Sequence, residues 1–204
     1  MEYSKELDFI TDACPYSFDF FKMEKEYRFV AISKFHNKFR DKSLNIVNNI
    51  IYFDNTGIKS QFHNNSTVTS LLLDKEQKTL YSGDIRGTVI SWSFKNDRPK
   101  QLSTFDVCKG EILKMKKSDL FLVVSNLKKE VIFFHLELKT TWKKFLFDYD
   151  IKFIELEKKS KKYFLLGADG NYLHITKESY LQNDEKKIKK NSYGDGVIIL
   201  NKRL

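Results

Sequence analysis

The stretch from Val68 to Phe94, VTSLLLDKEQKTLYSGDIRGTVISWSF, constrains the fold of this chain more than any other. An apolar run, Val68 to Leu73, gives way to a charged turn at Asp74, Lys75, Glu76 and Gln77, and a second short run, Thr79 to Ser82, follows. A reversal from Gly83 to Gly87 leads into Thr88 to Phe94, where Val89, Ser91 and Ser93 alternate with Ile90, Trp92 and Phe94. Alternation of period two puts successive side chains on opposite faces of an extended chain, so the three runs read as antiparallel strands joined by tight turns. Gly87 permits the positive φ of such a turn. Trp92 offers a large apolar face with one N–H to satisfy.

The same order of runs recurs along the chain. Upstream, Tyr16 to Phe20, Tyr27 to Phe35, Leu44 to Phe53 and Ile58 to Phe62 read as four strands, with a basic loop from His36 to Ser43 between the second and third. Asp54-Asn55-Thr56-Gly57 is a turn signal between the last two. Downstream of an outer strand at Gln101 to Val107 come Ile112 to Met115, Leu120 to Ser125, Glu130 to Leu136 and Thr141 to Phe147. Ser125 follows Ser82 by about 43 positions and Phe134 follows Trp92 by about 42, within the ~40–45-residue period of a four-stranded propeller blade. A further copy runs through Ile151 to Leu156, Lys162 to Leu166, the Asp169-Gly170 turn and Asn171 to Ile175, with Ser179 to Gln182 as its outer strand. Residues 183–191 read as a basic, flexible loop, and a last strand spans Val197 to Leu200.

The pattern resembles the WD-repeat family of β-propellers: Ser82, Gly83, Gly87, Val89 and Trp92 stand where a blade of that family has them, as do Asp169 and Gly170 in the later copy. The family's structural hydrogen-bonded set joins a turn Asp, a Ser, the Trp indole and a loop His. His63 is the residue offered for the His. Arg86 stands at the usual Asp position and Ser93 follows Trp92 where Asp is common, leaving Asp84 as the substitute carboxylate. The expected fold is all-β, a partial or small propeller of about four four-stranded antiparallel blades. Residues 1–13 are a lead-in to a propeller over 14–204, with blades at 15–62, 63–107, 111–148 and 150–183 and a terminal strand at 196–200. A propeller of this family usually has seven blades, so three readings stand open: a compact small ring, a truncated unit, or an arc completed by another chain. The arc or truncation suits the length better.

Composition narrows the functions. With 15% aromatic and 41% hydrophobic residues the chain can build a core, and 36 Lys and Arg against 27 Asp and Glu leave a net charge of +9. Such a charge favours anionic partners, RNA or ribonucleoprotein among them, although Lys pairs spread through turns also make an ordinary solvated surface. Cys14 and Cys108 are distant and outside any ligand motif, so neither a disulfide-linked partner nor a metal site is expected. No cofactor is expected either, since no phosphate loop or nucleophile elbow is present. The start lacks a signal-peptide pattern and no apolar run is long enough for a membrane helix, so the expected location is cytoplasm or nucleus.

His36, His63, His135 and His174 are mutually distant, and Asp148 and Asp150 read as solvated turn residues. The expectation is a non-catalytic scaffold that binds other proteins in a multi-subunit complex, nuclear or ribosome-assembly related. Its contact points would be Arg86, Lys128, Lys129, Lys186, Lys187, Lys189 and Lys190, on loops that need not share a face. Two alternatives stay open. One is an actin-interacting propeller. The other is a diphthine methylesterase-like WD-repeat enzyme of diphthamide biosynthesis, which the order of the first sixty or so residues resembles without supplying a catalytic residue.

Overall fold

The computed structural model describes residues 13–23, 26–34, 48–54, 57–62, 64–94, 98–118, 120–157, 162–167, 171–175 and 190–192. These form four antiparallel sheets, each of four strands in chain order. Sheet 1 holds β1 (Ala13–Met23), β2 (Glu26–Lys34), β3 (Asn48–Asp54) and β4 (Gly57–Phe62). Sheet 2 holds β5 (Val68–Asp74), β6 (Thr79–Asp84), β7 (Thr88–Ser93) and β8 (Lys100–Asp106). Sheet 3 holds β9 (Ile112–Ser118), β10 (Phe121–Asn126), β11 (Glu130–His135) and β12 (Thr140–Leu146). Sheet 4 holds β13 (Ile151–Glu157), β14 (Lys162–Gly167), β15 (Asn171–Ile175) and β16 (Lys190–Ser192).

The first strands of the sheets pack side by side, β1 on β5, β5 on β9 and β9 on β13. Their direction is common: Thr69, near the start of β5, donates its Oγ1 hydrogen to Ile112 O at the start of β9 (2.7 Å), while the far ends meet through Lys117 Nζ and Asp74 Oδ2 at 2.8 Å. Among the described residues no packing of comparable extent joins β13 back to β1. The fold is therefore all-β, a partial β-propeller of four blades.

Burial explains why the middle strands are apolar throughout. In sheet 2 every residue of β6 is buried, because sheet 1 covers one face and sheet 3 the other. Leu80, Ile90 and Trp92 point toward Val30, Ile32, Ile50 and Tyr52 of sheet 1. Tyr81, Val89 and Phe105 point the other way, onto Ile112, Leu122 and Phe134 of sheet 3. Each fully buried Leu, Ile or Phe contributes roughly 1.5–3 kcal/mol. The outer strands β8 and β12 share one exposure pattern, open along their length except for the buried Phe105 and Phe145 and the half-buried Ser103 and Lys143.

Two expectations need correction, and a third is not reached. The fourth strand of sheet 4 is β16, paired with β15 through Leu173 and Lys190, so the end of the basic stretch 183–191 is a ladder strand and not loop. Residues 179–182 and 197–200, expected as strands, lie outside the described residues. Gly83 pairs with Val89 and Ser125 with Val131, so Ser125 occupies the place of Gly83, and Val124 that of Ser82. The swap has a steric reason: a Cβ on Gly83 would lie 2.9 Å from Ile112 Cγ2, whereas Ser125 uses its hydroxyl to donate to Ile151 O at 2.8 Å.

Candidate interaction surface

The turns that follow β6 and β10 are built alike. Asp84 Oδ1 accepts from the backbone N–H groups of Arg86 (2.9 Å) and Thr88 (3.0 Å). Asn126 Oδ1 accepts from those of Lys128 (3.0 Å) and Glu130 (3.1 Å). A short side chain with an acceptor two bonds from Cβ folds back onto the next turn in this way, which is why Asp and Asn favour such corners. The third turn residue has positive φ in both, Gly87 at 91° and Lys129 at 61°. Because β5 and β9 run in the same direction, the two turns lie at the same end of the blades. Arg86, Lys128 and Lys129 thus stand on turns at one end, a placement that the sequence left open.

The link between the turns is the connection from β8 to β9. Gly110 N–H donates to Arg86 O (3.3 Å), and Cys108 N–H to Gly87 O (3.2 Å). The methylenes of Lys128 lie over Gly110, at 3.5 to 3.8 Å from where its Cβ would be. A groove of about 550 Å³ opens beside this joint, lined by Asp106, Cys108, Lys109, Lys128, Glu130 and Lys144 among others. Burial above all raises the Cys108 thiol, against a hydrogen bond with Asn126, and Glu130 and Asp84 raise it further. A thiol held protonated is a poor nucleophile.

Two of the acids here, Glu130 and Asp84, are engaged internally. Glu130 accepts from Asn126 Nδ2 (2.8 Å) and Lys144 Nζ (2.9 Å); burial opposes its charge, but these bonds outweigh it and hold the carboxyl below its ordinary value. Burial raises the Asp84 carboxyl despite the N–H groups of Thr88, Arg86 and Gly87. Lys129 Nζ donates to Asp148 O at 2.8 Å. Arg86, Lys109 and Lys128 are exposed and close no ion pair among the described residues. The surface therefore presents Arg86, Lys109 and Lys128 as exposed cations, with Asp84 and Glu130 engaged from within and Asp106 exposed beside them.

Trp92 belongs to the frame beneath. Its Nε1–H donates to Ser82 Oγ (2.7 Å), Ser82 Oγ–H donates to Asn64 Oδ1, and Asn64 Nδ2 donates to Ser82 O (2.7 Å). Asn64 holds the place offered to His63, which lies outside the described residues. Asp84 is not part of this set, so its expected role as substitute carboxylate is corrected: its oxygen is committed to its own turn. Asn64 is the structural residue that sequence reading missed, and its position one residue after His63 was the available signal. Asp169, Gly170, Lys186, Lys187 and Lys189 lie outside the described residues, and Lys190 is placed by its backbone in β16.

The opposite end carries ion pairs between neighbouring sheets. Lys75 meets Asp19 (2.9 Å), Lys117 meets Asp74 (2.8 Å) and Lys116 meets Glu155 (2.7 Å), one ion pair across each junction of first strands. Asp19, Asp74, Lys75, Lys116 and Lys117 line a groove of about 1040 Å³ whose walls include Leu72, Leu120 and Leu156. No cluster of His, Cys, Asp and Glu that could hold a metal, and no helix long and apolar enough to cross a membrane, occurs among the described residues.

No protein-family model matches the chain. No curated protein matches it in sequence. In fold it is similar to the β-propeller domain of Cps50 (Swd1) from Myceliophteria thermophila, with a TM-score of 0.50 and 14% identity over 62% of this chain. The match spans 38% of that domain's chain. Since 1161 solved chains match, the likeness identifies a widely used architecture and not an activity.

Proposed function

We propose that the chain is a blade set of a WD-repeat propeller that serves as a non-catalytic scaffold for protein–protein interaction. The observation that carries this reading is the pair of equivalent turns, each fixed by a buried Asp84 or Asn126 and each presenting an exposed cation, Arg86 or Lys128. Rigid strands that hold mobile-headed cations at a common end make a recognition surface without supplying acid, base or nucleophile. Lys129 and the basic stretch at Lys186, Lys187, Lys189 and Lys190 extend the proposal, as does residence in a nuclear or ribosome-assembly complex. The partial blade set is completed, in this reading, by further blades from the same or another chain.

Tagged full-length chain recovered from cells and analysed by mass spectrometry tests it. A defined protein set that is lost on Arg86→Glu with Lys128→Glu is the expected result. Hydrolysis of a diphthine ester by the purified chain, or co-purification of RNA alone, would overturn the scaffold reading.

A further inference from the structure

Each of the two turns carries a second exposed side chain. Ile85 is 44% exposed and Leu127 47% exposed, and each directly precedes the cation of its turn. The backbone accounts for why these residues are held in place: Ile85 N–H donates to Thr67 O and Leu127 N–H to Glu111 O, both at 3.0 Å. Their side chains contribute nothing to that anchoring and face solvent. A lone exposed aliphatic residue is ordinary on any surface. Here the same apolar-then-cationic pair, Ile85-Arg86 and Leu127-Lys128, is repeated at one position of neighbouring blades, where turn chemistry alone would favour polar residues.

Resting on the scaffold reading, we infer that this repeated pair is a docking surface for an extended acidic segment of a partner protein, with an apolar residue at every third position. The spacing follows from the fold. Packed sheets stand ~10 Å apart, and a chain in polyproline II conformation returns to the same face every three residues, a rise of about 9 Å. Successive apolar side chains of such a segment meet Ile85 and then Leu127. Carboxylates between them meet Arg86, Lys109 and Lys128, three exposed cations of this end that close no ion pair among the described residues.

Fluorescence anisotropy with the full chain and labelled twelve-residue peptides tests this. A (Leu-Glu-Pro)4 peptide should bind, while (Leu-Lys-Pro)4 and (Ser-Glu-Pro)4 should bind at least tenfold more weakly. Arg86→Glu with Lys128→Glu should weaken binding at least tenfold. Ile85→Ser with Leu127→Ser should weaken it severalfold while keeping its salt dependence, and Lys100→Glu on β8 should leave it unchanged. Thermal unfolding of each variant checks that it is folded. Equal binding of the three peptides, no effect of the Ile85 and Leu127 changes, or tighter binding of a uridine dodecamer would overturn the inference. If partners co-purify regardless of these four changes, this surface is wrong and the scaffold survives; if wild-type chain recovers none, the scaffold itself fails.

Discussion

The indole nitrogen of Trp92 donates to the hydroxyl of Ser82 at 2.7 Å, and Asn64 closes the set from the loop before β5. In sheet 3 the corresponding places hold Cys108, Val124 and Phe134, which pack in one apolar cluster. One site is thus built twice, once as a closed set of hydrogen bonds and once as apolar packing beside a thiol, and a mixture of the two is what costs stability. Ser82→Val alone orphans the Trp92 N–H and should cost about 2–3 kcal/mol. Ser82→Val with Trp92→Phe and Asn64→Cys should cost less than the sum of the single changes by about 1–2 kcal/mol. Urea unfolding of the singles and the combination measures the difference; strict additivity would refute the account.

Asp84 and Asn126 do the same work with different charge. Asn keeps the acceptor that holds two N–H groups, so Asp84→Asn should fold, whereas Asp84→Ala should lose about 1–3 kcal/mol. The sign of the pH effect follows from burial, which raises the Asp84 carboxyl in the folded state. A raised acid withdraws stability as pH climbs from its ordinary value through the raised one. Asp84→Asn should therefore gain on wild type between acid and neutral pH, a trend read from unfolding midpoints across that range.

At the third turn position the residues differ and so does the strain. A Cβ on Gly87 would lie 2.1 Å from Cys108 O, with φ at 91°, so no side chain fits without moving the β8–β9 connection. Gly87→Ala should cost about 3 kcal/mol or more, with steric overlap added to the left-handed backbone. Lys129 already bears φ of 61°. Lys129→Gly should be neutral or stabilising by up to about 1 kcal/mol. Differential scanning calorimetry of the two variants should show shifts in unlike directions or of very unlike size.

Acid should loosen the blade junctions. Burial opposes the Asp74 charge, but the hydrogen bond from Lys117, the Gln77 N–H and the Lys117 charge hold its carboxyl below its ordinary value. Glu130 is lowered in the same sense. A lowered acid contributes stability above its unfolded value and loses it as pH falls through the folded one, so the loss begins near pH ~4. Asp74→Asn should flatten the acid limb of a stability curve and remove part of its salt dependence. An unchanged limb would mean that the Lys117 pair contributes nothing.

Local chemistry was enough for the strands and corners of sheet 2. Alternation in Thr88 to Phe94, the charged turn after Leu73 and the need for Gly at position 87 each follow from neighbours a few residues apart, so they are legible in the chain. The blade count followed from the repeat of those signals. What the linear order could not assign were partners chosen across space. Whether His63 or Asn64 reaches Ser82, whether Asp84 serves Trp92 or its own turn, and whether Ser125 answers to Ser82 or Gly83 depend on register and on sheet-to-sheet packing. The common end of the Arg86 and Lys128 turns was decided the same way, by first strands running in one direction from Thr69 and Ile112 to Asp74 and Lys117. Hydrogen bonds and steric limits act over about 3 Å, and only the folded chain brings residues from different blades within that reach.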